Sequence, residues 1–111
     1  MVKRSDQPRK YRVWLEPEVY QERNRLPGNI RQRVKREIEH LSELPRPSSS
    51  RVLDITELGV PNEIEIRRIR LQSWLIIYAI HDVESWVWVL AIHQRPPYNY
   101  EDLDKIVSKL G

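Results

Sequence analysis

Between Glu63 and His93 three runs of strand-forming residues follow one another, separated by connections too short for anything but tight turns, and this commits the chain to an antiparallel sheet. The first run, Glu63-Ile64-Glu65-Ile66-Arg67-Arg68-Ile69-Arg70-Leu71, places apolar residues at Ile64 and Ile66 and again at Ile69 and Leu71. The phase slips by one at the Arg67-Arg68 pair. In a strict period of two, such a slip turns every later side chain to the other face unless a bulge absorbs the extra residue, so a bulge is expected near Arg67. It would keep Ile69 and Leu71 in the core and turn Arg68 and Arg70 together to the opposite face. Two guanidinium groups two residues apart on one sheet face form a rigid pair suited to phosphate.

The second run, Trp74 to Ile80, is apolar on both faces, as a central strand is. His81 to Ser85 forms a short polar turn, and Trp86 to Ile92 returns as a β-branched and aromatic run. Its exit, His93-Gln94-Arg95-Pro96-Pro97-Tyr98-Asn99-Tyr100, concentrates polar chemistry. The two prolines stop the strand and stiffen the chain, which puts His93, Arg95 and the tyrosines at a sheet edge.

Upstream, Tyr11 to Leu15 alternates and reads as the first strand. Pro17 fits the first turn of a short helix ending near Arg25, with Glu18 and Glu22 toward its positive end. Leu26-Pro27-Gly28-Asn29 then breaks the chain, and Ile30, Val34, Ile38, Leu41 and Leu44 recur at helical spacing as one apolar stripe. The other faces of this helix carry Arg31, Arg33, Lys35, Arg36, Glu37 and Glu39. These charges read as a solvated face laced with local ion pairs, or as a basic surface, led by Arg31 and Lys35, that touches a phosphate backbone or a partner protein. Pro45 to Ser50 is a linker, Arg51 to Asn62 an irregular loop with a turn at Gly59 to Asn62, and Glu101 to Leu110 a final amphipathic helix.

The expected architecture is therefore a small single α+β domain in the order β-α-α-β-β-β-α. A twisted, mainly antiparallel four-stranded sheet carries two helices packed on one face, with a C-terminal helix after it. Residues 1–10 read as a flexible leader and 11–111 as the domain, a length that supports one core and not two. The chain has no cysteine, which removes disulfides and thiolate metal sites and fits a reducing cytoplasm. No segment has the roughly 20 apolar residues of a membrane span, and the basic, polar first ten residues show no apolar core of a secretory signal, so none is expected. The three histidines, 40, 81 and 93, lie on separate elements, so no metal site and no cofactor is expected. A formal charge of +3 is only mildly basic; the clustering of arginine in 31 to 36 and 67 to 70 says more about a polyanionic partner.

The reactive groups are thus arginines, one histidine and two tyrosines. Cleaving a phosphodiester without a metal needs a group to deprotonate a 2'-hydroxyl, a group to protonate the leaving 5'-oxygen, and cations to hold the charge between them. His93 or a tyrosine suits the first two, since histidine titrates near neutrality. Arg68, Arg70 and Arg95 suit the third, and Tyr98 or Tyr100 would stack an unpaired base. Each has an ordinary explanation too: His93 as a hydrogen-bonded strand-end residue, the arginines as partners of Glu63 and Glu65, and Tyr98 as packing. The tryptophans at 14, 74, 86 and 88 read as core or as a partner-binding surface.

The order of these segments resembles the RelE/ParE superfamily of bacterial toxin components from toxin-antitoxin pairs. The residues that carry the resemblance are Tyr11-Arg12-Val13, Leu26-Pro27 with the helix that follows, and Leu44-Pro45-Arg46-Pro47. Arg68-Ile69-Arg70, Ile76-Ile77-Tyr78 and His93-Gln94-Arg95 complete the set. The likeness runs over nearly the whole chain from residue 11. It implies a compact toxin neutralised by a cognate antitoxin in a hetero-oligomer. RelE-like members cut mRNA in the ribosomal A site without a metal, using basic residues and a tyrosine, and ParE-like members inhibit DNA gyrase. By position, Arg68 and Arg70 match the paired basic residues of the family, His93 and Arg95 its basic segment after the last strand, and Tyr98 or Tyr100 its terminal tyrosine. Two departures stand out: Leu75 occupies a position that is often arginine in the RelE-type nucleases, and Gln94 interrupts the usual basic pair. Arg51 is then a candidate for the missing charge.

Three functions follow as expectations: a ribosome-dependent mRNA endonuclease, a gyrase-binding inhibitor, or a non-catalytic module that only pairs with its antitoxin.

Overall fold

The computed structural model describes residues 10–55, 59–94 and 110. Strand β1 (Arg12–Leu15) leads into helix α1 (Pro17–Asn24) and helix α2 (Gly28–His40); strands β2 (Ser50–Val52), β3 (Ile64–Leu71), β4 (Trp74–His81) and β5 (Trp86–Gln94) follow. Pro17 enters α1 where its missing N–H costs nothing, and α2 starts directly after Pro27. The strands form one sheet in the order β1-β5-β4-β3-β2. Every pairing is antiparallel except that of β1 with β5. The expected α+β architecture holds, with five strands in place of four. The extra one is β2, from the junction of the stretches read as linker and irregular loop, whose Ser50, Arg51 and Val52 pair with Ile69, Arg68 and Arg67. The expected leader over residues 1–10 and the expected C-terminal helix from Glu101 to Leu110 fall outside the described residues except for Lys10 and Leu110.

The sheet separates two apolar clusters. On one face Ile69, Leu71, Ile76, Tyr78, Ile80, Val87, Val89 and Ile92 pack against Val19 of α1 and Ile30, Val34, Ile38 and Leu41 from α2 and its end. On the other, Ile66, Ile77, Ala79, Trp86 and Leu90 are covered by Leu53, Ile55, Val60 and Leu110. Leu44 does not continue the α2 stripe: the helix stops at His40 and Leu44 is 58% exposed.

The expected bulge near Arg67 is absent. Ile64 through Leu71 pair with His81 through Trp74 without a break. The irregularity lies instead between β4 and β5, where Ile77 pairs with Ala91 and Tyr78 with Val89, so that Leu90 is the extra residue. With β3 unbroken, Ile64 and Ile66 share a face with Arg68 and Arg70, while Glu65 and Arg67 share the helix-covered face with Ile69 and Leu71. The slip in the sequence records a change of cover along the strand. Toward Ile64 the loop residues Leu53, Ile55 and Val60 bury the side away from the helices, and toward Leu71 the helices bury the other side.

Candidate anion site on the open sheet face

Across the β2–β3 ladder Arg51 stands directly opposite Arg68, on the face away from the helices. Like charges directly opposite one another oppose strand pairing. Arg70 follows two residues later on the same face, and Ser49, Arg51, Arg68 and Arg70 line one cavity of about 250 Å³. Among the described residues no carboxylate lines it. The Arg51 guanidinium is held by its own neighbourhood: Nη1 donates to the carbonyls of Ser48 (3.0 Å) and Ser50 (2.9 Å). Among the described residues, Arg68 and Arg70 have no ion-pair partner.

The arginines on the helix-covered face are treated differently. Arg67 Nη1 lies 2.6 Å from Glu65 Oε2, and its Nε donates to Ser50 Oγ at 2.9 Å. Arg46, from the linker before β2, pairs with both Glu65 (3.2 Å) and Asp82 (2.8 Å). Asp82 also accepts the Tyr11 hydroxyl at 2.7 Å. Burial acts to raise the Glu65 carboxyl, but hydrogen bonds from Arg46 and Arg67 outweigh it and hold the group below its ordinary range. Hydrogen bonds to Asp82 and Glu65 raise the Arg46 guanidinium in turn. Glu65 thus does pair with an arginine of its strand, but with Arg67 and not with Arg68 or Arg70.

The strand registers place the remaining candidates. Arg70 pairs with Leu75, and Leu75 pairs with His93, so the three form one row across β3, β4 and β5 on the open face. Leu75 is only 1% exposed and interrupts the row with an apolar side chain. His93 is therefore two strand spacings of about 4.8 Å each from Arg70, and it lines a separate cavity of about 210 Å³ with Glu18, Glu22 and residues Leu90 to Ile92. Those two glutamates are one helical turn apart on α1, and only the packing of α1 on β5 brings them to His93. The sequence gives their mutual spacing but not that neighbour. Arg31 and Lys35 are on α2, which packs on the other side of the sheet, so they are not part of the arginine cluster. Arg95, Tyr98 and Tyr100 lie outside the described residues. Tyr78, from the Ile76-Ile77-Tyr78 motif, is fully buried and its hydroxyl donates to the Pro45 carbonyl at 2.8 Å. Burial pushes its phenol up, so it stays protonated and pins the linker to the sheet.

An aromatic corner completes the open face. Trp14 stacks on Trp86 with ring centroids 5.8 Å apart, Trp88 meets Trp86 edge-on at 6.2 Å, and the Arg12 guanidinium lies 5.3 Å from the Trp14 ring. Trp14 remains 43% exposed. Among the described residues no three His, Cys, Asp or Glu side chains gather as a metal site, and no helix is long and apolar enough to cross a membrane.

No family model matches the chain, and no curated protein matches it. Solved structures do. A chain of the archaeal RelE-RelB complex from Pyrococcus horikoshii is similar at a TM-score of 0.69 and 20% identity, over 80% of this chain and 99% of that one. A chain of the Mycobacterium tuberculosis RelBE2 toxin-antitoxin complex gives 0.60 at 22% identity, over 78% of this chain and 92% of the other. The isolated RelE toxin of E. coli gives 0.57 at 17% identity, over 87% and 98%. The fold is that of the RelE-like toxins.

Proposed function

From a RelE-like fold whose open sheet face gathers three arginines, we propose that this chain is the toxin of a toxin-antitoxin pair and a metal-independent endoribonuclease that cuts mRNA on the ribosome. The observation that carries this reading is the contrast between the two sheet faces. Arg46 and Arg67 are neutralised by Glu65 and Asp82, whereas Arg51, Arg68 and Arg70 line a cavity with no acid among the described residues. Cations placed together in this way lower their mutual repulsion by taking up an anion, and a phosphodiester brings the charge and the planar oxygen pairs that guanidinium groups fit.

In the reaction the 2'-oxygen of the substrate attacks the adjacent phosphorus as its proton passes to a base. The bond from phosphorus to the 5'-oxygen breaks, and that oxygen takes a proton from an acid. Arg68 and Arg70 hold the negative charge on the phosphoryl oxygens as it grows, which is the step where fixed donors act most strongly. His93, at the rim of the same face, and Arg95, Tyr98 and Tyr100 after it are the proposed remaining members, with His93 or a tyrosine moving the protons. Arg31 and Lys35 serve as a second RNA contact from the helix side. No cofactor enters, and the products carry 2',3'-cyclic or 3'-phosphate ends.

The proposed partners are a cognate antitoxin, the ribosome and mRNA, in the cytoplasm. An acidic amphipathic antitoxin segment that folds on binding suits a face with both open arginines and an exposed Trp14. A translating extract tests the activity: added protein should leave cut transcripts, and Arg68→Ala/Arg70→Ala should leave them intact. Intact transcripts with the unaltered protein would overturn the nuclease reading. The buried Leu75 in the Arg70 to His93 row favours one alternative, a chain that binds but does not cut, and growth arrest on expression with blocked supercoiling would instead point to gyrase.

A further inference from the structure

The row Arg70, Leu75, His93 offers no cation on β4, since Leu75 is apolar and buried. On the other side of β3 the ladder supplies one. Arg51 faces Arg68 across β2–β3 and shares its cavity with Arg70 and Ser49. Among the described residues, Nη1 makes both hydrogen bonds of the Arg51 side chain, to the Ser48 and Ser50 carbonyls, which leaves its Nε and Nη2 donors for a ligand.

What holds Arg51 there reaches through the sheet. Ser50 is buried and points to the helix-covered face, as its pairing with Ile69 requires. Its hydroxyl donates to the Pro47 carbonyl at 2.7 Å and accepts Arg67 Nε at 2.9 Å. Its carbonyl accepts both Arg51 Nη1 at 2.9 Å and Arg67 Nη2 at 3.5 Å. Glu65 fixes Arg67 at 2.6 Å and is itself tied to Arg46. The neutralised network behind the sheet and the open arginine in front of it therefore share one residue.

We infer that Arg51 is the third phosphate-binding cation of the site, in the role that Leu75 leaves vacant, and that Ser50 and Arg67 are positioning residues that hold it from the opposite face. This rests on the reading of the open face as an RNA site and deepens it. Among the described residues β2 is an edge strand of the sheet, and no strand lies beyond Arg51. The bound phosphodiester of a single strand then sits over β2 and β3, displaced from the β4–β5 side, and its chain leaves across the β2 edge.

The test is fluorescence anisotropy with a labelled single-stranded 2'-O-methyl RNA, which binds but has no free 2'-hydroxyl to attack, titrated at several salt concentrations. Arg51→Ala should weaken binding by about tenfold or more, as loss of a charge-assisted hydrogen bond does. It should also reduce the slope of log affinity against log salt by about 0.7, the share of one single-strand phosphate contact, with an unchanged melting temperature. Arg51→Lys should keep the slope and recover part of the affinity. Ser50→Ala should weaken binding at an unchanged slope, because the charge is retained but its placement is lost. If Arg68→Ala weakens binding while Arg51→Ala matches the unaltered protein in affinity and slope, Arg51 is not a phosphate ligand and the inference is overturned. If neither arginine matters, the reading of the face as an RNA site is what fails. The Arg51 variants decide the question even where Ser50→Ala lowers the melting temperature.

Discussion

Arg67 and Arg68 are neighbours in the chain and face opposite sides of β3, and their surroundings assign them opposite work. Arg67 is paired with Glu65 and Ser50, so Arg67→Ala leaves a carboxylate and a buried hydroxyl short of a partner. It should cost about 1 to 3 kcal/mol of stability, read as a lower midpoint in urea denaturation. Arg68 has no such partner among the described residues, so Arg68→Ala should leave the unfolding free energy from urea denaturation within about 0.5 kcal/mol of the unaltered protein. In a cleavage assay the same substitution should slow the reaction by about a hundredfold or more, as removal of one charge-stabilising donor does. A large loss of stability in Arg68→Ala would mean that its charge is neutralised in the fold. Gln72, in the tight turn between β3 and β4, sits at a φ of 56°, a conformation that glycine adopts at less cost. Gln72→Gly should stabilise the protein by up to about 1 kcal/mol in the same denaturation experiment.

At the level of elements, β2 depends on the network behind it. Arg46, Glu65, Arg67 and Ser50 tie the linker and β2 to β3, and Asp82 extends the ties to the β4–β5 turn and Tyr11. Glu65 has a depressed carboxyl, so the stability it contributes is fully present above its ordinary value of 4.5 and is lost as pH falls through the lower folded value. The protein should therefore lose stability on acidification below about pH 4.5, and Glu65→Gln should remove part of that dependence. Melting curves recorded from pH 3 to pH 7 would check it; identical slopes in the two proteins would show that Glu65 is not coupled to folding. The three long strands were legible in the sequence from their runs of β-branched and aromatic residues, and both helices from the prolines at their starts, joined in α2 by a long apolar stripe. Strand β2 was not, since three residues, Ser50 to Val52, hold no period of their own and take their conformation from β3. The Arg67-Arg68 slip was visible but ambiguous: a bulge and a change of cover leave the same trace in sequence, and only the packing of Leu53, Ile55 and Val60 against the face of Ile64 and Ile66 separates them.

Across the whole molecule, the sheet divides a helix-covered side from a side that carries a second apolar cluster and, at its β2–β3 end, presents charge. Helices α1 and α2 bury Val19, Ile30, Val34, Ile38 and Leu41 on the first, and removing one of these anchors, as in Ile38→Ala, should cost about 2 to 5 kcal/mol without touching the open face. The pairing of Arg68 with Arg70 was legible from their spacing alone. Their meeting with Arg51 needed the β2–β3 register, and the separation of His93 from them needed the row through Leu75. Arg31 and Lys35 looked like part of one basic surface in sequence, yet the sheet stands between them and the arginine cluster. The most direct test of the proposed function is to induce the protein in a bacterium and map mRNA 5' ends by primer extension, beside the Arg68→Ala/Arg70→Ala variant. Growth arrest with cuts inside translated codons, both absent in the variant at equal protein level, is the predicted result. Arrest without cuts, or cuts that persist in the variant, would contradict it.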